Sequence, residues 1–457
     1  MLYRFFKFIM HYAVRTYFRE IQLLNIELIP TDGPLIFLPN HRSAFMDPLI
    51  IASYSKRQVH FLARGESFKK PLMAKFLGKL NVIPIYRKEH TPDDMHKNEE
   101  TFEYCYRILE KNGVLVIFPE GASQSKPILL PLKTGTARIA LGAENKNNFT
   151  LGVKLLPVGI NYTNPHHFQG KLFLNYGKPI NTSDYKSDYL NDPVATVKSL
   201  TAHIESELKK RVVIVDDSRW FDLTEKVDQI IQSDSSLFGV NKENEPIKWF
   251  MAQKDIAQTI AFFRKEKIEL LEGIELRVQQ YFSIVELLNV KDGFLNPLGK
   301  NKANKSDKLS PLIYFALGLP IFIIGLILHI LPFYLTNFIA KKVVKKSDFI
   351  GSIILVLGLV LFTINGLILT RLVFLLSHSL LFTLLFFFIL PTLGIFAFQY
   401  YIRIKRAWSG VRMNFIGRRK KQLMVKLKEE KEDLLRLFKS AHLEYLNKEL
   451  EIKNPLI

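Results

Sequence analysis

The 457-residue chain carries 63 Lys and Arg against 43 Asp and Glu, a formal net charge of +20, with 48% hydrophobic and 23% charged residues. That balance excludes a disordered polymer and predicts two or three domains with real cores. A single cysteine, Cys105, excludes an intramolecular disulfide or a multi-cysteine zinc site and fits a reducing compartment. The positive charge calls for an anionic partner: nucleic acid, anionic lipid headgroups or a phosphorylated substrate.

In chain order, Met1 to Phe18 mixes Arg4, Lys7 and Arg15 among Phe5, Phe6, Phe8, Ile9, Tyr12 and Val14. It lacks the uninterrupted apolar core and the small-residue cleavage site of a signal peptide. It reads as a basic amphipathic helix, either lying in a membrane interface or packed on the domain behind it. From Gly33 to Arg211 the pattern is α/β. Apolar runs at Leu35–Leu38, Val59–Leu62, Val82–Ile85, Val114–Phe118, Leu155–Ile160 and Leu172–Tyr176 predict buried strands. Helical stretches such as Lys69–Leu80, Asn98–Lys111 and Pro193–Arg211 alternate with them, which predicts a mainly parallel or mixed sheet covered by helices. Residues 213–300 read as mostly helical, followed by a polar basic linker at Asn301–Ser310.

Then the composition changes. Pro311–Ala340, Phe349–Thr370 and Leu372–Ile402 contain no Lys, Arg, Asp or Glu, and each exceeds the roughly 20 apolar residues that cross a bilayer. Pro320 and Pro332 interrupt the first, which predicts a re-entrant hairpin there and a second hairpin from the next two. All basic flanks would then share the cytoplasmic side. After Ile402 come Arg403, Lys405, Arg406, Arg412, Arg418, Arg419, Lys420 and Lys421 with no acidic residue among them, a run suited to anionic headgroups. The remainder reads as a charged amphipathic helix, either a short coiled coil or a solvated helix. Because the basic residues cluster beside membrane segments and no recognition module is visible, nucleic acid is set aside as a partner.

The chemistry concentrates at the ends of predicted strands, where ligands of α/β sheets bind. In Asn40-His-Arg-Ser-Ala-Phe-Met-Asp47, a histidine can take a proton from a hydroxyl while an aspartate fixes its tautomer. Six residues around a helix is about 240°, so His41 and Asp47 can meet only across a turn or bulge. Arg87 directly follows the Val82–Ile85 run and can grip a phosphate bidentately. Phe118-Pro-Glu-Gly121 follows the next strand. Lys133 and Thr134 stand where a helix starts, a place for an anion. Leu155-Leu-Pro-Val-Gly-Ile160 is a further strand, with Pro157 suggesting an edge or a bend.

Taken together, NHRSAFMD, IPIYR, FPEG and LLPVGI, in this order over Asn40 to Ile160, resemble the glycerolipid acyltransferase superfamily. Five residues between His and Asp resemble the branch that includes fungal glycerol-3-phosphate/dihydroxyacetone-phosphate acyltransferases and related bacterial proteins. The resemblance implies His41 as general base, Asp47 as its orienting partner, Arg87 on the acceptor phosphate, and Glu120 and Gly121 in acceptor binding. Where many members continue Thr-Arg-Ser after FPEG, this chain has Ala122-Ser123-Gln124, so a role for that arginine does not carry over.

The expected organisation is an amphipathic helix in residues 1–30, an acyltransferase domain in 31–212 and a helical region with linker in 213–309. Membrane-embedded helices would follow in 310–402 and a basic helical tail in 403–457. The expected activity is acyl transfer from a thioester to a hydroxyl of glycerol 3-phosphate or 1-acyl-glycerol 3-phosphate. Acyl-CoA or acyl carrier protein would be the co-substrate, without cofactor or metal, and anionic membrane lipids would be partners. The enzyme would be an integral membrane protein with its catalytic domain on the cytoplasmic face. The alternatives are the same chemistry on a non-phosphate lysolipid or aminolipid, and a catalytically silent membrane scaffold.

Overall fold

A computed structural model describes residues 2–87, 91–166, 168–215, 217–232, 246–288, 305–344, 346–419 and 421–453. The chain divides into two compact units, Met1–Asp216 with Val344–Leu355, and Asp217–Val343 with Val356–Ile457.

The first unit is built on strands β1 (Phe18–Leu24), β2 (Leu35–Pro39), β3 (Val59–Arg64), β4 (Val82–Ile85), β5 (Val114–Val116), β6 (Lys154–Tyr162), β7 (Gly170–Tyr176) and β8 (Ile180–Asn181). Among the described residues they form one eight-stranded sheet, ordered β1-β7-β6-β2-β5-β3-β4, with β8 beside β6. β6, β2, β5, β3 and β4 run parallel, whereas β7 and β8 are antiparallel to β6. The six apolar runs are all strands. β1 is an addition: Arg19, Glu20 and Gln22 interrupt its apolar residues, and it pairs in parallel with β7 at the end of the sheet order. The expected N-terminal helix therefore ends at Tyr17, and the strand after it belongs to the sheet. Pro157 is corrected only in its edge alternative. It lies in the interior strand β6, opposite Leu38 of β2. On the other side of β6, pairing passes from β8 at Lys154–Leu155 to β7 at Val158–Tyr162. The proline occupies the gap between the two partners, where no ladder bond asks for its missing N–H.

Strand side chains alternate between two cores, as a period of two demands. Leu35 and Phe37 enter one with Val14, Tyr17, Met46, Ile50 and Ile51. Ile36 and Leu38 enter the other with Cys105, Leu109, Ala140, Leu200 and Ile204. The first face is covered by α1 (Leu2–Tyr17) and α2 (Met46–Tyr54). The second is covered by α4 (Asn98–Glu110), α5 (Gly135–Lys146) and α7 (Pro193–Lys209); α3 (Pro71–Lys79) and α6 (Lys186–Asn191) are shorter connections. For α1 both alternatives have a physical basis. Met10, Val14 and Tyr17 are buried, while Phe5, Phe8 and Tyr12 remain more than half exposed on the opposite stripe.

The second unit contains α8 (Phe221–Gln232), α9 (Pro246–Glu266), α10 (Ile268–Leu287) and α14 (Lys421–Lys453), which pack on one another. Leu427, Leu434, Leu435 and Phe438 of α14 are buried, so the tail is one wall of a small bundle rather than a solvated helix. Of the segment expected as a linker, residues 301–304 lie outside the described residues, and Lys305–Ser310 already belongs to α11 (Lys305–Val343). That helix is continuous through Pro320 and Pro332, so the expected re-entrant hairpin does not form. Prolines are tolerated in apolar helices where neighbouring groups satisfy the freed carbonyls. With α12 (Ile350–Ser377) and α13 (Leu380–Arg419), three helices among the described residues are long and apolar enough to cross a membrane. This is a membrane protein. Gly318, Gly325 and Gly394 let α11 and α13 approach closely: a Cβ on Gly325 would stand 2.5 Å from the Leu393 carbonyl oxygen.

Candidate active site

β2, β5 and β4 run parallel in one sheet, so the segments that leave their carboxyl ends emerge along one edge. His41 follows β2, Glu120 follows β5 and Arg87 follows β4. Asn40 releases His41 from the ladder. Its side chain accepts from the Ile160 N–H (2.6 Å) and donates to the Ile160 carbonyl (3.1 Å), imitating one more rung of β2–β6 pairing.

The chain turns between His41 and α2, and the turn overcomes the unfavourable spacing. His41 Nδ1 lies 2.8 Å from Asp47 Oδ2, with Asp47 fully buried at the start of α2. The same oxygen accepts from the Ser43 N–H at 2.7 Å, and Oδ1 accepts from the Tyr162 hydroxyl. A carboxylate can only accept, so Nδ1 carries the hydrogen and Nε2 keeps its lone pair. The imidazole is stacked on Phe118, with ring centroids 4.1 Å apart. Tyr162 was not singled out from sequence, and Phe118 entered only within the Val114–Phe118 run and FPEG, without a role of its own. Each lies at the end of an apolar run, where an aromatic residue reads as core.

Glu120 is buried, and its carboxylate ties two loops together. Oε1 accepts from the His41 N–H (2.7 Å) and Oε2 from the Leu130 N–H (2.9 Å). Burial pushes this carboxyl up to about 7, against the pull of the two amides and of Arg42. Arg42, also buried, donates to the Ser125 carbonyl at 3.1 Å and lies over the Tyr162 ring. Burial lowers its pKa, while Tyr162, Asp47 and Glu120 hold it up. The unfolded chain releases the Glu120 proton in the ordinary glutamate range and the folded chain near 7, so between these values the folded state holds the extra proton. Stability from this group is therefore complete below about pH 4.5 and is lost as pH rises through 7. Glu120→Gln does not titrate there, and its amide would turn N–H toward one of the two backbone donors. The wild type should unfold at higher denaturant concentration than Glu120→Gln at pH 5, and the gap should narrow by pH 8.

Arg87 Nη1 donates to the Gly121 carbonyl. Gly121 has φ +70°, and a Cβ there would stand 3.5 Å from Lys133 Cγ and 4.0 Å from Arg87 Nη1. Arg87, Gly121 and Lys133 thus form one corner, closed by the Lys133 N–H on the Pro119 carbonyl at 2.8 Å. Thr134 occupies the N-cap position of α5 and is exposed. No cluster of three or more His, Cys, Asp or Glu that could hold a metal occurs among the described residues.

A histidine–carboxylate pair and a cationic corner thus stand at the carboxyl ends of the parallel strands. Residues 20–161 match the family model described as Acyltransferase. Over 112 residues the chain is 38% identical to glycerol-3-phosphate O-acyltransferase 2 of Saccharomyces cerevisiae, covering 24% of this chain and 15% of that protein. To glycerol-3-phosphate O-acyltransferase 1 of the same yeast it is 25% identical over 264 residues, covering 39% and 35%. To the 1-acyl-sn-glycerol-3-phosphate acyltransferase of Bacillus subtilis it is 23% identical over 171 residues, covering 36% and 76%. The chain thus spans well under two thirds of the length of either yeast relative. Residues 20–161, under a third of the chain, are what it shares with the glycerolipid acyltransferases it resembles.

Proposed function

We propose that this protein transfers a fatty acyl group from an acyl thioester to a hydroxyl of glycerol 3-phosphate or 1-acyl-glycerol 3-phosphate. The observation that carries the reading is the His41–Asp47 pair, with its free Nε2, at the same sheet edge as Arg87 and Lys133. His41 Nε2 takes the acceptor's hydroxyl proton, and the oxygen attacks the thioester carbonyl carbon. The C–S bond breaks, and the proton passes to the leaving thiolate. Asp47 supports the imidazolium while it exists. Arg87 and Lys133 supply positive charge for the acceptor phosphate, and the turn at Gly121 lets the backbone approach it. The names of the yeast and Bacillus relatives support a glycerol-phosphate acceptor. Acyl-CoA or acyl carrier protein is the donor, which puts the catalytic domain on the cytoplasmic face. The exposed aromatic stripe of α1 and the basic residues after Ile402 suit an anionic bilayer surface.

The test is to incubate the purified protein with a labelled acyl thioester and glycerol 3-phosphate, dihydroxyacetone phosphate, 1-acyl-glycerol 3-phosphate and a phosphate-free lysolipid. Label should appear in a phosphorylated product. Label only in the phosphate-free product would move the acceptor class, and no label in any product would leave a scaffold.

A further inference from the structure

The turn that brings Asp47 to His41 is held by a part of the chain some three hundred residues away. Phe45 occupies the N-cap position of α2 and has no side-chain acceptor to offer the first amides of that helix, where Ser, Thr, Asp or Asn is preferred. The acceptor is Ser352. Its Oγ accepts from the Phe45 N–H and the Met46 N–H, both at 3.0 Å, and lies 3.2 Å from Ser43 Oγ. Ser352 is fully buried. One turn earlier, the Asp348 carbonyl accepts from the Ala44 N–H at 3.1 Å and from Ser43 Oγ at 3.3 Å. The Asp348 carboxylate accepts from Ser123 Oγ, in the loop after Glu120, and Ser347 meets Ser125 hydroxyl to hydroxyl at 2.8 Å. Phe349 packs edge-on against Phe45, with centroids 5.4 Å apart. Gly351 makes the approach possible: a Cβ there would stand 2.1 Å from the Pro165 carbonyl oxygen. Leu355 completes the docking by entering the core that contains Met46 and Ile50.

We infer that Ser352 is a positioning residue for the His41–Asp47 pair, an N-cap for α2 supplied by the first turn of α12, with Asp348 fastening the Glu120 loop to the same point. Ser352 touches neither His41 nor a substrate. It acts through the amides of Phe45 and Met46, which set where α2 begins and so where Asp47 points. As a contribution to catalysis this rests on the acyl-transfer reading; as a brace on the turn it does not.

The experiment compares full-length wild type, Ser352→Ala and Ser352→Thr in the same detergent, by amide hydrogen exchange and by steady-state acyl transfer to glycerol 3-phosphate. Ser352→Ala should exchange about fivefold faster in peptides covering residues 43–50 and unchanged elsewhere, as expected for a lost cap. Its kcat should fall about tenfold with both Michaelis constants within about twofold, because the loss concerns the orientation of the base rather than substrate binding. Ser352→Thr, which keeps the hydroxyl, should restore both. Unchanged exchange, or faster exchange with kcat intact, would overturn the inference. If wild type transfers no acyl group to any acceptor, the acyl-transfer reading fails, and the exchange comparison still decides the brace.

Discussion

His41→Ala should lower turnover by about a hundredfold to ten-thousandfold, the usual range for loss of a general base, in the labelled-thioester assay with glycerol 3-phosphate. Among the described residues, His41 is the one imidazole at the sheet edge whose Nδ1 is fixed on a fully buried carboxylate, 2.8 Å away. Asp47→Asn should reduce turnover by at least about tenfold. The amide can still accept from the imidazole and from Ser43, but it carries no charge to set against the imidazolium. The Tyr162 hydroxyl can turn to accept from the new NH2, so this variant should fold. Both proteins should purify with wild-type yield and elution. Full activity in His41→Ala would defeat the acyltransferase mechanism. A dead His41→Ala beside an unaffected Asp47→Asn would shift the orienting role to another group.

The second large effect concerns Arg87. Its guanidinium both holds the Gly121 carbonyl and brings positive charge to the corner with Lys133. Arg87→Ala should raise the Michaelis constant for a phosphorylated acceptor by about ten- to a hundredfold, the range of a lost charged hydrogen bond. The constant for the acyl thioester should change much less. Arg87→Lys should recover only part, because an ammonium cannot hold a carbonyl and offer a fork to phosphate together. Equal effects on both substrates would assign Arg87 to keeping the Gly121 turn in place.

What could be read from sequence divides along physical lines. Leu35–Leu38 and Leu155–Ile160 were legible as strands because they are buried on both faces and run apolar without interruption. β1 was not, since Arg19, Glu20 and Gln22 break the pattern and the preceding helix absorbs Phe18. The convergence of His41, Glu120 and Arg87 followed from three segments at the ends of three strands. It required only that β2, β5 and β4 be parallel. Tyr162 was out of reach because a tyrosine that closes LLPVGINY looks like any other core aromatic. Ser352 was further out of reach still. It is one small polar residue in an otherwise apolar stretch, and neither periodicity nor motif relates it to Phe45. The hairpin expected at Pro320 and Pro332 failed because a proline's cost depends on its surroundings, which sequence does not display.

The docking of Asp348 and Ser352 also sets the order in which the site can mature as the chain is made. A ribosome adding about 5–20 residues per second reaches Ser352 about 15–60 s after His41. By the end of that interval all the strands of the sheet have been made, and so has the whole of α11, while the amides of Phe45 and Met46 still wait for their acceptor. A newborn domain with its sheet already paired therefore still lacks the bonds that set the start of α2. They form only after the first apolar helix has been synthesised and the second has begun. Production of the competent site thus comes after production of the segment that commits the chain to a bilayer.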